Sequence, residues 1–287
     1  MRKIAITTEC VADLPKAVLQ KYEIDIIYFD IATEGGLFRD TDEVDANNIM
    51  EYMIDGKKKA QSVVPGANEF KNFFRKKLED YDEVIHICIG AGISVTVENA
   101  TMAKTKLGID GRRIHIIDSQ SLSGGQGIIV LEACKCRDNG MSSEEIIAHI
   151  EQYKLRVQTT FLANNADYLY YNGKVSKAVM KLCKTLHLHP VLAMSEKGLA
   201  LRWIYIGNYE KAGIRYMKKL LGKHHKIDTS TCMLVYAGCN HEMIEQIRTR
   251  MGEMVQFEHF LENTASATVS CNCGPLTYGI LFAHKGE

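Results

Sequence analysis

Short apolar runs alternate with segments of helical periodicity through the first half of the chain, and this rhythm restricts the possible folds more than any other feature. Residues 3–7, 25–31, 83–89 and 113–117 have the length and β-branched content of buried strands. Between them Phe70, Phe73, Phe74, Leu78 and Tyr81 recur at helical spacing, which predicts a helix over 68–81 with one buried stripe. Residues 96–107 and 121–137 read as helices in the same way. Neighbouring parallel strands need a crossover of about a dozen residues or more, so strand–helix–strand in this order predicts βαβ units and a parallel sheet.

Past Gly140 the character changes. Ser142 with Glu145 three residues on has the form of a capping box, and Ile146, Ile150, Tyr153 and Val157 form the next helical stripe. Strands over 190–194 and 199–205 are joined by Ser195-Glu196-Lys197-Gly198, a hairpin connection ending in glycine. A helix over 208–221 follows, then strand 231–236, helix 241–251, strand 254–260 and a strand-like C-terminus. A hairpin among crossovers implies a mixed sheet. At 287 residues the chain exceeds one ordinary core. The expectation is two α/β domains: residues 1–155 with a three-layer parallel sheet, and residues 156–287 with a mixed sheet.

Charge and composition exclude several classes of function. Thirty-five basic residues balance 35 acidic ones, without the basic excess of a nucleic-acid binder. Lys57-Lys58-Lys59 and the cluster Lys218 to Lys226 read as solvated turns and helix ends. No apolar run reaches the roughly 20 residues needed to span a bilayer, so membrane insertion is not expected. Met1 leads into Arg2-Lys3-Ile4-Ala5-Ile6, too short for the core of a signal peptide, and the nine cysteines show no framework spacing. Reduced thiols and a cytoplasmic location are the expectation.

Four loops rich in hydroxyls or small residues follow strands or precede helices: Thr7-Thr8-Glu9-Cys10, Ser62-Val63-Val64-Pro65-Gly66, Gly90 to Thr96, and Asp118-Ser119-Gln120-Ser121. Ligands of open α/β sheets bind at the carboxyl ends of the strands, where hydroxyls and free helix-start amides suit an anion. The alternative is that each Ser or Thr simply caps its helix. Gly90-Ala91-Gly92 lacks the third glycine of a dinucleotide fingerprint, Ser123-Gly124-Gly125-Gln126-Gly127 lies within a helix, and no Walker A sequence occurs, so no cofactor is expected. The Cys134/Cys136 and Cys271/Cys273 pairs are too closely spaced for a usual zinc site, and no metal set is read from the sequence. Cys10 is the better candidate for a nucleophile, with Asp13 beside it as a second actor, in the competing reading of a small-molecule enzyme.

In order and spacing these segments resemble the DegV family over essentially the whole length. Thr8-Glu9-Cys10-Val11-Ala12-Asp13-Leu14-Pro15 is similar to T-D-S-T-A-D-L-P, and Gly36-Leu37-Phe38-Arg39-Asp40 to G-x-x-Y-x-D. Ser62 to Gly66, followed by Glu69-Phe70, stands for T-S-Q-P-S…E-F, and Ile89 to Ala100 for I-S-S-x-L-S-G-T-Y-x-S-A. Ile117-Asp118-Ser119 matches I-D-S, Tyr168 to Ser176 resembles Y-L-x-x-G-G-R-I-S, and Gly274-Pro275 resembles the end of H-x-G-P-G.

The resemblance implies a long-chain fatty acid held in a tunnel between two α/β domains, with no catalytic machinery. It puts the lipid carboxylate on the hydroxyls of Ser62 and Ser94, with Thr96, Thr8, Cys10, Lys174 and Asn272 as further ligand-binding positions. It also implies a fatty-acid kinase as a partner. Two departures bear on that partner: Asn272 stands where the family has His, and Lys174 where it has Arg, without the bidentate fork. A diverged member binding another amphipathic anion is the third reading.

Overall fold

The computed structural model describes residues 2–55, 58–171, 175–195 and 197–286. The chain begins β1 (Ile4–Glu9), α1 (Lys16–Lys21), β2 (Asp25–Ile27), β3 (Asp30–Thr33), β4 (Gly36–Arg39), α2 (Ala46–Asp55) and β5 (Gln61–Val63). It continues with α3 (Ala67–Asp80), β6 (Glu83–Cys88), α4 (Thr96–Lys106), β7 (Ile114–Asp118), α5 (Ser123–Asp138) and α6 (Ser143–Tyr153). Then come β8 (Val157–Gln158), β9 (Thr160–Leu162), α7 (Asp167–Tyr171), α8 (Lys177–Thr185), β10 (Leu188–Ser195) and β11 (Gly198–Ile206). The last elements are α9 (Tyr209–Leu221), β12 (Ile227–Ala237), α10 (His241–Met254), β13 (His259–Thr264), α11 (Ala267–Cys273) and β14 (Thr277–His284).

The βαβ rhythm builds a four-stranded parallel sheet in the order β2-β1-β6-β7. Strands after residue 156 form a seven-stranded mixed sheet, β11-β10-β9-β14-β12-β13, with β8 beside β14. The β10–β11 hairpin is antiparallel and β12–β13 parallel, as a hairpin among crossovers requires. Ser142 caps α6, and Glu145 reaches back to the Ser142 N–H at 2.8 Å, completing the capping box.

Two expected strands differ in the structure. The run 25–31 divides into β2, on the parallel sheet, and β3, in a small antiparallel sheet with β4 and β5. At the break the N–H of Phe29 donates to the Cys10 sulfur and its carbonyl accepts from Asp40, so its backbone leaves the ladder. Apolar patterning is blind to such a change of partner. The strand placed at 254–260 begins only at His259, because α10 runs to Met254 and the N–H of Val255 still bonds to Met251.

Helix α5 lies between the parallel and mixed sheets and is buried along most of its length. Its Ile128 to Leu131 share one core with Ile85 and Ile87 of β6 and with Met233, Val235 and Leu281 of the mixed sheet. Its N-terminal end carries glycines because the mixed sheet and the turn after β1 press on it. A Cβ on Gly124 would lie 2.8 Å from Val235, on Gly125 2.1 Å from Thr159 Oγ1, and on Gly127 2.8 Å from the Ala12 carbonyl.

Gly125→Ala should therefore destabilise the protein by about 1–3 kcal/mol through overpacking. Gly252→Ala, in α10 with its nearest neighbour 4.0 Å from the added carbon, should stabilise it by about 0.5–1 kcal/mol. Urea denaturation midpoints of the two variants check both signs.

Candidate functional site

The carboxyl ends of β1, β6 and β7 meet at one edge of the parallel sheet, where ligands of such folds bind. After β6 the chain turns tightly, with the N–H groups of Ile93 and Ser94 both bonded to the Gly90 carbonyl, and then enters α4. Val95 occupies the N-cap of α4 and gives no side-chain bond, so neither Ser94 nor Thr96 serves as a cap. Among the described residues the Ser94 Oγ is buried without a hydrogen-bond partner, an arrangement that costs about 1–3 kcal/mol unless something accepts from it. Thr96 is fully buried, its hydroxyl against the Cys88 thiol.

The mixed sheet reaches this loop through the β10–β11 turn. A Cβ on Gly92 would lie 2.5 Å from the Gly198 nitrogen, and one on Gly90 would lie 2.9 Å from the Met194 methyl. Ser62 sits half-buried on β5, paired with Ile31, and its backbone N–H faces the Cys271 sulfur of α11. Asn99 of α4 donates to the Pro65 carbonyl at 2.9 Å, tying the segment after β5 to the helix that starts beyond Ser94. Val64, Ile93, Met194, Val269 and Cys273, all half-buried, pack against the same core. Ser62 stands on β5 and Asn272 on α11, two elements in contact with each other, and Ser94 on the loop before α4.

Helix α11 was not expected from its sequence, Ala-Thr-Val-Ser-Cys-Asn-Cys, which is poor in helix formers. It is held by long-range caps. The buried Asp40 carboxylate accepts the N–H groups of Ala267 and Thr268 at 2.8 and 2.9 Å, and Asp13 accepts that of Ser266 at 2.8 Å. Ser266 preceding the helix, with its hydroxyl accepting from Val269, is the one local signal that could have revealed it. Asn272 is exposed and turns its amide back onto the Thr268 carbonyl at 2.8 Å. Lys174 lies outside the described residues. The helix leading toward it, α7, abuts α11 closely: Gly274 has φ +81°, and a Cβ there would lie 2.3 Å from the Tyr168 ring.

Thr8 and Cys10 are committed to internal bonds. Thr8 is fully buried; its hydroxyl donates to the Ile87 carbonyl at 2.7 Å and accepts from Gln126 at 2.9 Å. The Cys10 thiol is buried and accepts the N–H of Phe29 at 3.2 Å; burial and the nearby Asp40 carboxylate push its pKa well up. A neutral thiol is the opposite of an activated nucleophile, which weighs against a Cys10–Asp13 catalytic pair. Asp13 is itself pushed up to about 7, chiefly by burial, against the hydrogen bonds from Ser123 and Ser266.

Between the end of β1 and the β13–α11 connection lies an open cleft of about 1020 Å³. Cys10 lines it, whereas Ser62, Ser94 and Asn272 do not. Glu23, Asp25, Asp42, Glu43 and Asp45 also line it against Lys16, a balance of charge that repels a carboxylate. Among the described residues no helix is long and apolar enough to cross a membrane.

Residues 3–285 match the family model described as "Uncharacterised protein, DegV family". A DegV domain-containing protein of Caldanaerobacter subterraneus subsp. tengcongensis is 24% identical over 296 residues, covering 99% of this chain and all of the relative. Among solved structures, the chain is similar to a DegV family protein from Thermus thermophilus described by its fatty acid binding. The TM-score is 0.88 at 23% identity, covering 99% of this chain and 100% of the other. It is also similar to a stearic acid-binding protein from Eubacterium ventriosum, with a TM-score of 0.84, 21% identity and 99% of each chain covered.

The Asp13 shift has a definite sign. The native state keeps this proton up to about pH 7, whereas the unfolded chain releases it near 3.8, so the group's contribution to stability falls as pH rises through that window. Wild type should lose on the order of 2 kcal/mol relative to Asp13→Asn between about pH 5 and about pH 8, read from urea unfolding of both proteins.

Proposed function

The chain belongs to the DegV family, and on that footing we propose that it binds a long-chain fatty acid, as a carrier rather than a catalyst. The carboxylate sits on the hydroxyls of Ser62 and Ser94 at the start of α4, and the acyl chain lies along Val64, Ile93, Met194 and Val269. The observation that carries this reading is the buried, unbonded Ser94 hydroxyl beside a helix that begins without a side-chain cap. A carboxylate accepts and never donates, so a free hydroxyl and first-turn amides at the positive end of an eleven-residue helix complement it. Residues 1–155 supply the rim in this reading, and residues 156–287 supply the cover through Met194 and Val269.

The lipid tail dominates the affinity. Each charge-assisted hydrogen bond contributes about 1.5–3 kcal/mol, and each buried methylene about 0.8 kcal/mol, so roughly eight methylenes outweigh both hydroxyls. Thr8 and Cys10 act in this reading by fixing the loop rather than by touching the ligand. Among the described residues no two cysteines are joined in a disulfide, which suits the reducing compartment expected from the sequence. Presentation to a fatty-acid kinase is the further step of the proposal. Asn272 and Lys174 offer such a partner an amide and a point charge in place of an imidazole and a guanidinium.

Organic extraction of the purified protein followed by mass spectrometry should recover a long-chain fatty acid in stoichiometric amount. A different amphipathic anion, or an empty protein, refutes the fatty-acid reading. In a titration with palmitate, Ser94→Ala and Ser62→Ala should each weaken binding about 10- to 100-fold, as loss of one charge-assisted bond requires. Unchanged affinity refutes the assignment of those hydroxyls and leaves the fold untouched.

A further inference from the structure

Beneath the rim, one group of buried side chains is left with its bonding incomplete. Parallel pairing of β1 with β6 sets Thr7 opposite His86 and Thr8 opposite Ile87. Side chains alternate along a strand, so Glu9 shares a sheet face with both His86 and Cys88. One carboxylate oxygen, one ring nitrogen and the sulfur lie within 4.8 Å of one another, and all three residues are fully buried.

The outer atom of each oxygen and nitrogen donor is already held. Glu9 Oε2 accepts from the Ile89 N–H at 2.7 Å and from Gln126 Nε2 at 2.5 Å. His86 Nδ1 lies 2.9 Å from the Thr7 hydroxyl, and the rings of Phe70, Phe73 and Phe74 meet the imidazole edge-on. What remains is Glu9 Oε1 and His86 Nε2, 3.8 Å apart and, among the described residues, without an oxygen or nitrogen partner; the Cys88 thiol is turned toward Glu9. Thr96 Oγ1 also has no oxygen or nitrogen partner; it faces the Cys88 thiol. A second group of similar composition, Glu132, Cys136 and His149, differs in this respect, because His149 and Glu132 bond to each other at 2.8 Å.

We propose that Glu9, His86 and Cys88 bind a zinc-class divalent ion, with the Thr96 hydroxyl or a water as the fourth donor. Carboxylate oxygen, imidazole nitrogen and thiolate sulfur form a borderline-soft set that suits zinc and not magnesium or calcium. Donors about 2.0–2.3 Å from a tetrahedral ion stand about 3.3–3.8 Å apart, so the observed separation closes with little movement. The hydrogen bonds to Glu9 Oε2 and His86 Nδ1 are the outer contacts that orient such ligands. A divalent cation with one carboxylate, one thiolate and a neutral imidazole carries no net charge, which permits full burial. The Cys88 proton is released to solvent on binding, and because the cluster is fully buried the ion enters as the chain folds. The ion joins β1 to β6 and, where Thr96 is the fourth donor, fixes the start of α4 below Ser94.

The full chain, expressed in zinc-supplemented medium and purified without chelator, should release about one zinc per molecule on denaturation. Cys88→Ala and Glu9→Gln should lose it, and Cys136→Ala should keep it. Because the first two variants alter the core, wild type refolded with Co²⁺ gives a second readout: the thiolate-to-cobalt charge-transfer band together with the intense d–d bands of a four-coordinate site. Substoichiometric zinc with no thiolate band overturns the proposal, as does zinc retained in Cys88→Ala or lost in Cys136→Ala.

Discussion

The two large sheets share one helix, and that helix can lie close against the mixed sheet only by offering almost nothing on that side. In α5 the constraint is met by Gly124, Gly125 and Gly127, each positioned where a single added carbon would meet Val235, Thr159 or the Ala12 carbonyl. The helix then spends its apolar residues, Ile128 to Leu131, on a core common to both sheets. Everything at the rim follows from that spacing. At that rim Gly198 of the β10–β11 hairpin comes against Gly92, and Met194 against Gly90.

The second constraint is electrostatic and reaches across the chain. Asp13 and Asp40, both buried, serve as acceptors for the first backbone donors of the segment entering α11. A seven-residue helix of low intrinsic propensity is fixed by carboxylates more than 200 residues away in sequence. Burying a carboxyl is unfavourable, and Asp13 reflects it by holding its proton to about pH 7, with the nearby Asp40 a lesser cause. The arrangement places Cys271 against Ser62 and so aligns one wall of the proposed lipid site.

Local pattern revealed most of the strands and helices and little of the site. The stripe of Phe70 and Phe74, the Ser142–Glu145 box and the hairpin at Ser195 to Gly198 are encoded by near neighbours, and a reader of the sequence finds them. Helix α11 is not, because its caps come from Asp13 and Asp40. The division of residues 25–31 into two sheets is decided by what Phe29 bonds to, which spacing cannot express. Ser62 and Ser94 were legible as hydroxyls of two candidate rim loops and as members of a motif; that Ser94 leaves α4 uncapped is visible only in three dimensions. Glu9, His86 and Cys88 were invisible as a group, because 76 residues separate the carboxylate from the imidazole until β1 and β6 pair.

The contact between the β10–β11 turn and the Gly90–Val95 loop is unusual in what makes it. Gly92 meets the backbone at Gly198, and Gly90 meets the tip of Met194. Interlocked side chains resist separation because each must leave a shaped socket, whereas bare backbone sliding on backbone has no socket to leave. The flexible thioether of Met194 can follow a moving surface at little energetic penalty. The contact at this place is therefore made by backbone and one flexible thioether, whereas the α5 core that holds the two sheets together is made of packed apolar side chains.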